Sequence, residues 1–252
     1  MTVKDKILQG RTYLGIELGS TRIKAVLIDD SFSVIASGSK QWENRFENGC
    51  WTYSLDDIHG GIQACYKDLA ENVKAQYGIY PETYGAMGIS AMMHGYMAFD
   101  KNDKLLVPFR TWRNTMTAQA AGELTKLLGF SIPQRWSIAH LYQAVLNKEA
   151  HVPYIANINT LAGYVHKRLT DRFEVGVGEA SGIFPVEGIG YKKEYCEPTE
   201  KSLAEKGFDH KLKDILPAVR NAGEKGAVLT EEGAKFLDPE GRLKAGVPVC
   251  PP

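Results

Sequence analysis

The sequence lacks the features that mark membrane-spanning, redox and nucleic-acid-binding proteins. Its four cysteines are irregularly spaced and form no CxxC pair, which argues against a metal cluster and predicts four free thiols in a reduced cytoplasmic protein. No run approaches the roughly 20 apolar residues of a transmembrane helix, and residues 1–10 hold charges but no apolar signal-peptide core. The 30 basic and 30 acidic residues cancel, so no global basic field favours nucleic acid. We therefore expect neither a membrane nor a nucleic acid as a partner.

The remaining composition is that of an ordinary globular protein. Of the 252 residues, 44% are hydrophobic and 24% are charged, which supports one large domain or two small domains with buried cores. Walker A and GxGxxG phosphate motifs are absent from the sequence. The predicted order of elements is strands, a helix, more strands and then helices, and this order indicates an α/β fold.

Periodicity predicts an antiparallel meander followed by a long helix. Alternating apolar residues predict strands over 12–18, 23–28 and 32–37. Apolar residues at three- and four-residue spacing predict a helix over 54–77, with Ser54 and Asp57 as its capping box. The later predictions are a strand over 84–90, a hairpin of 96–99 with 104–107, helices over 115–128, 138–148, 160–169, 200–206 and 230–236, a loop over 188–197, and a strand over 246–249.

The turn between the first two strands carries groups that suit phosphate oxygens. Gly19 makes a tight turn that exposes backbone N–H groups, beside the hydroxyls of Ser20 and Thr21. Lys24 would supply the counter-charge, and Glu17 would hold a divalent cation such as Mg²⁺ through water. The alternative interpretation is a plain hairpin with an exposed Glu17–Lys24 pair.

Residues 15–24, Gly-Ile-Glu-Leu-Gly-Ser-Thr-Arg-Ile-Lys, resemble the phosphate-binding hairpin that opens the FGGY carbohydrate kinases. That family belongs to the actin and heat-shock-ATPase-like superfamily. The resemblance implies an α/β, ribonuclease-H-like domain with a mixed central sheet and flanking helices, and it implies ATP and Mg²⁺ as cofactors. Where the family usually has Asp in the first strand, this chain has Glu17.

A second segment, residues 88–95, resembles the family's strand and turn that end in Met-His-Gly, as in xylulose kinases. The resemblance implies that Met93, His94 and Gly95 contact a sugar. Physically, His94 can hydrogen-bond a hydroxyl, and Met93 can pack on the apolar face of a carbon chain. Taken alone, these residues favour the alternative of a core methionine and a turn histidine.

A third segment, residues 108–115, is centred on Trp112, as in the same family before a helix. An aromatic ring covers the C–H faces of a polyol while polar neighbours bind its hydroxyls. The resemblance therefore implies sugar contacts from Trp112, Arg113 and Asn114, although Arg113 and Asn114 replace the family's usual acidic residue. The alternative is a capped helix start with a structural tryptophan.

The resemblance extends over about residues 12–250, and members of the family are about twice as long. We therefore expect residues 1–252 to be the N-terminal, sugar-binding domain. No catalytic residue is assigned within them, because the general-base Asp and the nucleotide-binding domain are expected beyond Pro252. We expect the chain alone to be inactive. The resemblance is compatible with a homodimer of the intact enzyme.

The implied function of the intact enzyme is ATP-dependent phosphorylation of a sugar hydroxyl. Met93 and His94 point to a ketopentose such as xylulose, whereas Arg113 and Asn114 leave another ketose or an alditol open. Two other classes remain, a superfamily ATPase and a non-catalytic sugar-binding or regulatory domain. A polyol pocket argues against the first, and an apolar C-terminal run cut off by two prolines argues against the second.

Overall fold

The first half of the chain builds most of a central sheet. A computed structural model of the protein describes residues 1–221, 224 and 226–252. The elements of this half are α1 (Val3–Leu8), β1 (Thr12–Leu18), β2 (Arg22–Asp29), β3 (Val34–Gln41), β4 (Arg45–Glu47), β5 (Cys50–Thr52), α2 (Leu55–Tyr77), β6 (Ala86–Ala91) and β7 (Met97–Phe99).

The second half is mainly helical and returns two strands to the sheet. Its elements are α3 (Ala118–Leu128), α4 (Ser137–Leu146), a 3-10 turn (Val152–Tyr154), β8 (Asn157–Asn159), α5 (Leu161–Thr170), β9 (Glu174–Gly176), α6 (Val177–Ala180), β10 (Val186–Glu187), β11 (Gly190–Tyr191), α7 (Lys193–Glu205), α8 (Leu212–Ile215), β12 (Ala218–Arg220), β13 (Ala227–Val228), α9 (Glu231–Leu237) and β14 (Pro248–Cys250).

The central sheet is mixed, with the strand order β13-β14-β6-β1-β2-β3. The first three strands form the expected antiparallel meander, and β6 runs parallel to both β1 and β14. In this register Glu17 lies opposite Lys24. The predicted α/β fold with a mixed sheet and flanking helices is thus confirmed.

The sheet is buried on one face because apolar residues alternate along its strands. In β1, Leu14, Ile16 and Leu18 are buried and join residues of α2, α5 and α9 in one core cluster. The residues between them, Gly15 and Glu17, lie on the opposite, open face. The fold therefore places Glu17 where a ligand can reach it.

Helix α2 confirms the sequence prediction in detail. Ser54 accepts a hydrogen bond from the Asp57 backbone, and the Asp57 side chain bonds back to the Ser54 backbone, which completes the capping box. The helix ends at Gly78, whose φ of 75° is left-handed.

A second core lies beside the sheet and supports the segments after β6. Its members come from α3, α4, β7, β8 and the segment around α6. One prediction is confirmed here and one is wrong. Strand β7 pairs with β8 on one side, and on its other side it keeps the predicted hairpin, since Leu105 bridges Phe99 and the Leu106 N–H donates to the Ala98 carbonyl at 2.9 Å. The predicted loop over 188–197 is wrong, because this range contains β11 and the start of α7, whose Tyr195 packs against the same core.

The predicted thiols are confirmed, because all four cysteines are unpaired. Among the helices that the structure describes, none combines the length and hydropathy needed to cross a bilayer.

The contact between α2 and β3 depends on a glycine. A Cβ at Gly38 would lie 2.4 Å from the Cys65 carbonyl oxygen and 2.4 Å from the Leu69 nitrogen. We predict that Gly38→Ala lowers the free energy of unfolding by about 1–3 kcal/mol, because the helix must shift away from the sheet. The measurement is urea unfolding of the purified chain.

Gly60→Ala is the matched control for this variant. Gly60 lies in α2, the helix that packs against Gly38. A Cβ added at Gly60 would meet no atom within 4 Å, so the change should raise stability by up to about 1 kcal/mol. Equal stability of the two variants would contradict the packing argument.

Candidate functional site

The Gly19–Thr21 turn is held through its backbone, and the predicted exposed N–H of Gly19 is instead occupied, because it donates to the Arg22 carbonyl at 3.0 Å. Trp42 donates from Nε1 to the Gly19 carbonyl at 2.6 Å and from its backbone to the Thr21 carbonyl at 3.3 Å. Tyr53 Oη donates to the Ser20 carbonyl at 2.5 Å, and burial raises the pKa of Tyr53, which keeps this proton in place. With these carbonyls occupied, the exposed Ser20 and Thr21 hydroxyls make no hydrogen bond within the described residues.

Glu17 and Lys24 stand beside this turn on the open face of the sheet. Lys24 Nζ lies 3.5 Å from Glu17 Oε2, and each side chain is about half exposed, at 55% and 54%. They line a concavity of about 430 Å³ together with Gly15 and Gly88. An exposed pair at this distance contributes little to stability, so either group can change partners when a ligand binds.

The carboxylate of Glu17 is the metal candidate predicted from the sequence. Among the described residues, no group of three His, Cys, Asp or Glu side chains could enclose a metal ion. A single carboxylate fits Mg²⁺, which keeps several waters and takes its other ligands from phosphate. Glu17 therefore suits a nucleotide-borne Mg²⁺ and not a site built entirely from protein.

Met93, His94 and Trp112 face one concavity of about 260 Å³, as expected, and Met92 and Arg135 complete its lining. The chain reaches this position through two consecutive residues with positive φ, 73° at His94 and 98° at Gly95. A Cβ at Gly95 would lie 2.7 Å from a backbone oxygen, so Gly95 shapes the turn by close packing.

The surroundings of His94 favour its neutral imidazole form. Burial is the main cause that lowers its pKa, and the nearby Arg135 guanidinium lowers it further. A neutral imidazole has one nitrogen that donates and one that accepts, which is the pattern needed to bind a hydroxyl.

Asn114 anchors the Trp112 loop from inside the protein. Its side chain is buried, accepts from the Trp51 backbone at 2.9 Å, and donates to the Trp51 and Thr111 carbonyls at 2.8 and 3.0 Å. With both ends of the amide occupied, Asn114 fixes the position of Trp112 and does not itself line the 260 Å³ concavity.

Arg113 lies on the other side of this loop from Trp112. Its guanidinium stacks 3.9 Å from the centre of the Trp51 ring. It lines a separate concavity of about 420 Å³ that includes Ser20 and Thr21. The structure therefore groups Arg113 with the Gly19–Thr21 turn instead of with the other predicted sugar contacts.

A buried polar cluster joins the two walls of the Met93–Trp112 concavity. The backbones of Tyr96 and Arg110 exchange hydrogen bonds of 2.8 and 3.1 Å. Arg110 forms an ion pair with Glu149, and Tyr96 Oη lies 3.0 Å from Nε2 of His151. His140 stacks on Tyr96 at 6.0 Å. The cluster fixes the turn after β6 to the loop that carries Trp112.

Arg135 lines this concavity although the sequence did not assign it to the site, and Glu179 is a buried carboxylate outside the lining. The Arg135 carbonyl accepts a 3.1 Å hydrogen bond from Gly95, which brings its side chain to the concavity. Glu179 lies in α6, whose flanking Gly176 donates to the Pro252 carbonyl at 2.6 Å. Burial raises the pKa of Glu179 to about 7. Neither the Gly95–Arg135 contact nor the Gly176–Pro252 contact is local in sequence, so no sequence pattern predicts them.

Comparisons with known proteins identify the family of the chain. Residues 12–250 match the N-terminal domain of the FGGY family of carbohydrate kinases. A xylulose kinase of Haemophilus influenzae is 25% identical over 239 residues, which cover 89% of this chain and 47% of that protein.

Two solved structures share the fold at lower identity. A xylulose kinase from Rhodospirillum rubrum has a TM-score of 0.74 at 17% identity, covering 96% of this chain and 49% of that one. A gluconate kinase from Lactobacillus acidophilus has a TM-score of 0.73 at 18% identity, covering 94% and 46%. The chain thus spans about half the length of the relatives it matches.

The two solved structures show the fold, an α/β domain of the actin and heat-shock-ATPase-like kind, as the resemblance implied. The family follows from the match over residues 12–250. The chain belongs to the FGGY family of carbohydrate kinases.

The buried His140 beneath the site makes stability depend on pH. Burial lowers the pKa of His140 to about 3, and neither ring nitrogen has a partner in the described residues. His140 therefore stays unprotonated in the folded state, whereas in the unfolded chain it binds a proton near pH 6.5. We predict that this residue removes about 1.4 kcal/mol of stability for each pH unit below 6.5.

His140→Phe should remove this contribution, since the phenylalanine ring has no nitrogen that can bind a proton. Urea unfolding at pH 7 and pH 5 measures the loss of stability in each protein. An undiminished loss in the variant would show that His140 does not cause it.

Proposed function

We propose that this chain is the N-terminal, sugar-binding domain of a kinase that transfers the γ-phosphoryl group of ATP to a sugar hydroxyl. One observation carries the proposal. The adjacent residues Trp112 and Arg113 face two different concavities, one with His94 and the other with the Ser20 and Thr21 hydroxyls. A pocket suited to a polyol therefore lies next to a turn suited to phosphate.

The sugar would bind in the first concavity. The Trp112 ring and Met93 would cover its C–H faces, and the neutral His94 would bind a hydroxyl. The loop is held from behind by Asn114, so the ring is already in place before the sugar arrives. Such preorganisation lowers the entropic cost of binding.

The nucleotide phosphates would bind at the Gly19–Thr21 turn. The free hydroxyls of Ser20 and Thr21 donate to phosphate oxygens, Lys24 neutralises their charge, and Glu17 would hold Mg²⁺ through water. Arg113, stacked on Trp51, adds a second cation to the concavity that holds Ser20 and Thr21. These groups would position the γ-phosphate and spread its charge during transfer.

A carboxylate must take the proton of the attacking hydroxyl. We propose that this base is an Asp beyond Pro252, in a protein of the length seen in the relatives. Glu179 is the alternative within the described chain, because burial raises its pKa to about 7 and one of its oxygens has no partner there.

Among neutral sugars, a ketopentose such as xylulose is the first substrate to test. The Met93–His94 turn favours it, and the Haemophilus influenzae relative is a xylulose kinase. Because Arg113 and Asn114 replace the usual acidic residue, another ketose or an alditol belongs in the same panel.

The experiment compares the 252-residue chain with the longer protein in a coupled ADP-release assay over a panel of sugars. We expect sugar-dependent turnover of about 1–100 per second from the longer protein only. ADP release without sugar would favour the superfamily ATPase. Sugar binding without turnover in the longer protein would favour a non-catalytic domain, and turnover by the chain alone would direct attention to Glu17 and Glu179.

We predict that His94→Ala in the longer protein lowers kcat/KM about 10- to 100-fold, because one hydrogen bond to a sugar hydroxyl is lost. His210→Ala is the control, since His210 stacks on Phe208 outside the concavity. Unchanged kcat/KM in His94→Ala would remove His94 from the sugar site.

A further inference from the structure

Arg135 is the one charged side chain among the described residues that line the Met93–Trp112 concavity. Its guanidinium is exposed and makes no hydrogen bond or ion pair within the described part of the chain. No carboxylate lines the same concavity, and burial lowers the pKa of His94. The concavity therefore carries a net positive charge that no described residue balances.

The position of Arg135 is fixed by the backbone around it. Its carbonyl accepts from Gly95 at 3.1 Å, and the neighbouring Gln134 carbonyl accepts from the Thr117 hydroxyl at 2.5 Å. Trp136 closes the turn by donating to Pro133 at 3.1 Å. A backbone held on both sides makes the guanidinium part of the pocket and not of a mobile surface loop.

A neutral sugar offers no charged group that could pair with a lone guanidinium. Its hydroxyls accept uncharged hydrogen bonds, which are weaker than the charge-assisted bonds that a guanidinium forms with a carboxylate. The planar fork of arginine matches the two oxygens of a carboxylate, whereas a doubly charged phosphate is usually met by several donors or cations. The second arginine nearby, Arg113, stacks on Trp51 in a different concavity.

We propose that the substrate of this site is a sugar acid, a polyhydroxylated chain whose terminal carboxylate pairs with Arg135. The hydroxyl chain then extends across Trp112 toward His94. This inference rests on the proposed sugar site and refines the class of substrate. It changes nothing in the phosphoryl-transfer step, because Arg135 lies away from the Gly19–Thr21 turn.

The test compares substrates that differ only at one end. Xylonate and xylitol share their hydroxyl stereochemistry and differ by a carboxylate in place of a terminal CH₂OH, and gluconate and glucitol form a second such pair. In the longer protein we expect kcat/KM for the acid to exceed that for its alditol, and to fall as ionic strength rises.

Arg135→Gln keeps donors in place but removes the charge. It should lower kcat/KM for the acids about 10- to 100-fold and leave the alditols within about twofold. Arg135→Lys should recover only part of the loss, because a single ammonium cannot form the paired bonds. Arg172→Gln is the control, an exposed arginine that lines a different concavity.

Titration of the 252-residue chain with the same compounds, followed by tryptophan fluorescence, separates the two proposals. Arg135-dependent binding of xylonate without turnover in the longer protein would support the sugar acid and overturn the kinase. Equal use of acid and alditol, unaffected by Arg135→Gln, would overturn the sugar acid and leave the kinase standing. Tighter binding of xylitol 5-phosphate than of xylonate, or no binding of either, would also overturn the sugar acid.

Discussion

The candidate site depends on the backbone pairing between Tyr96 and Arg110. This pairing ties the turn that follows β6 to the loop that carries Trp112. The Arg110–Glu149 ion pair holds the pairing from behind, and Arg110 lies 5.4 Å from the centre of the Tyr96 ring. A buried ion pair adds little stability compared with apolar packing, but losing one partner strands a charge, so the geometry has few alternatives.

The sheet separates structural residues from those available to a ligand. Alternation in β1 buries Leu14, Ile16 and Leu18 under the helices and leaves Glu17 on the open face beside Lys24. The Gly19–Thr21 turn extends this division, because Trp42 and Tyr53 occupy its carbonyls from the buried side. One periodic pattern thus supplies the core and presents the polar groups.

Local signals were sufficient for the meander, for α2 with both of its caps, and for the grouping of Met93, His94 and Trp112 that the family resemblance implied. They failed where a distant partner decides the structure. Strand β7 pairs with the distant strand β8 in addition to its predicted hairpin partner, and Arg135 reaches the concavity through Gly95, forty positions away. Arg113 and Asn114 were assigned together, although one side chain stacks outward on Trp51 and the other is buried beneath it.

Because Arg113 and Asn114 point to different places, the loop that carries them has a structural role that two sugar-contacting side chains would not give it. Asn114 fixes the loop to β5, and Trp112 and Arg113 then project to either side of it. The distance between the two concavities is consequently set by backbone geometry and not by flexible side chains. If a sugar occupies one and a phosphate the other, the loop determines how closely hydroxyl and phosphorus can approach. Because effective molarity falls steeply with misplacement of reacting groups, the internal bonds of Asn114 would matter to phosphoryl transfer although its side chain touches neither ligand.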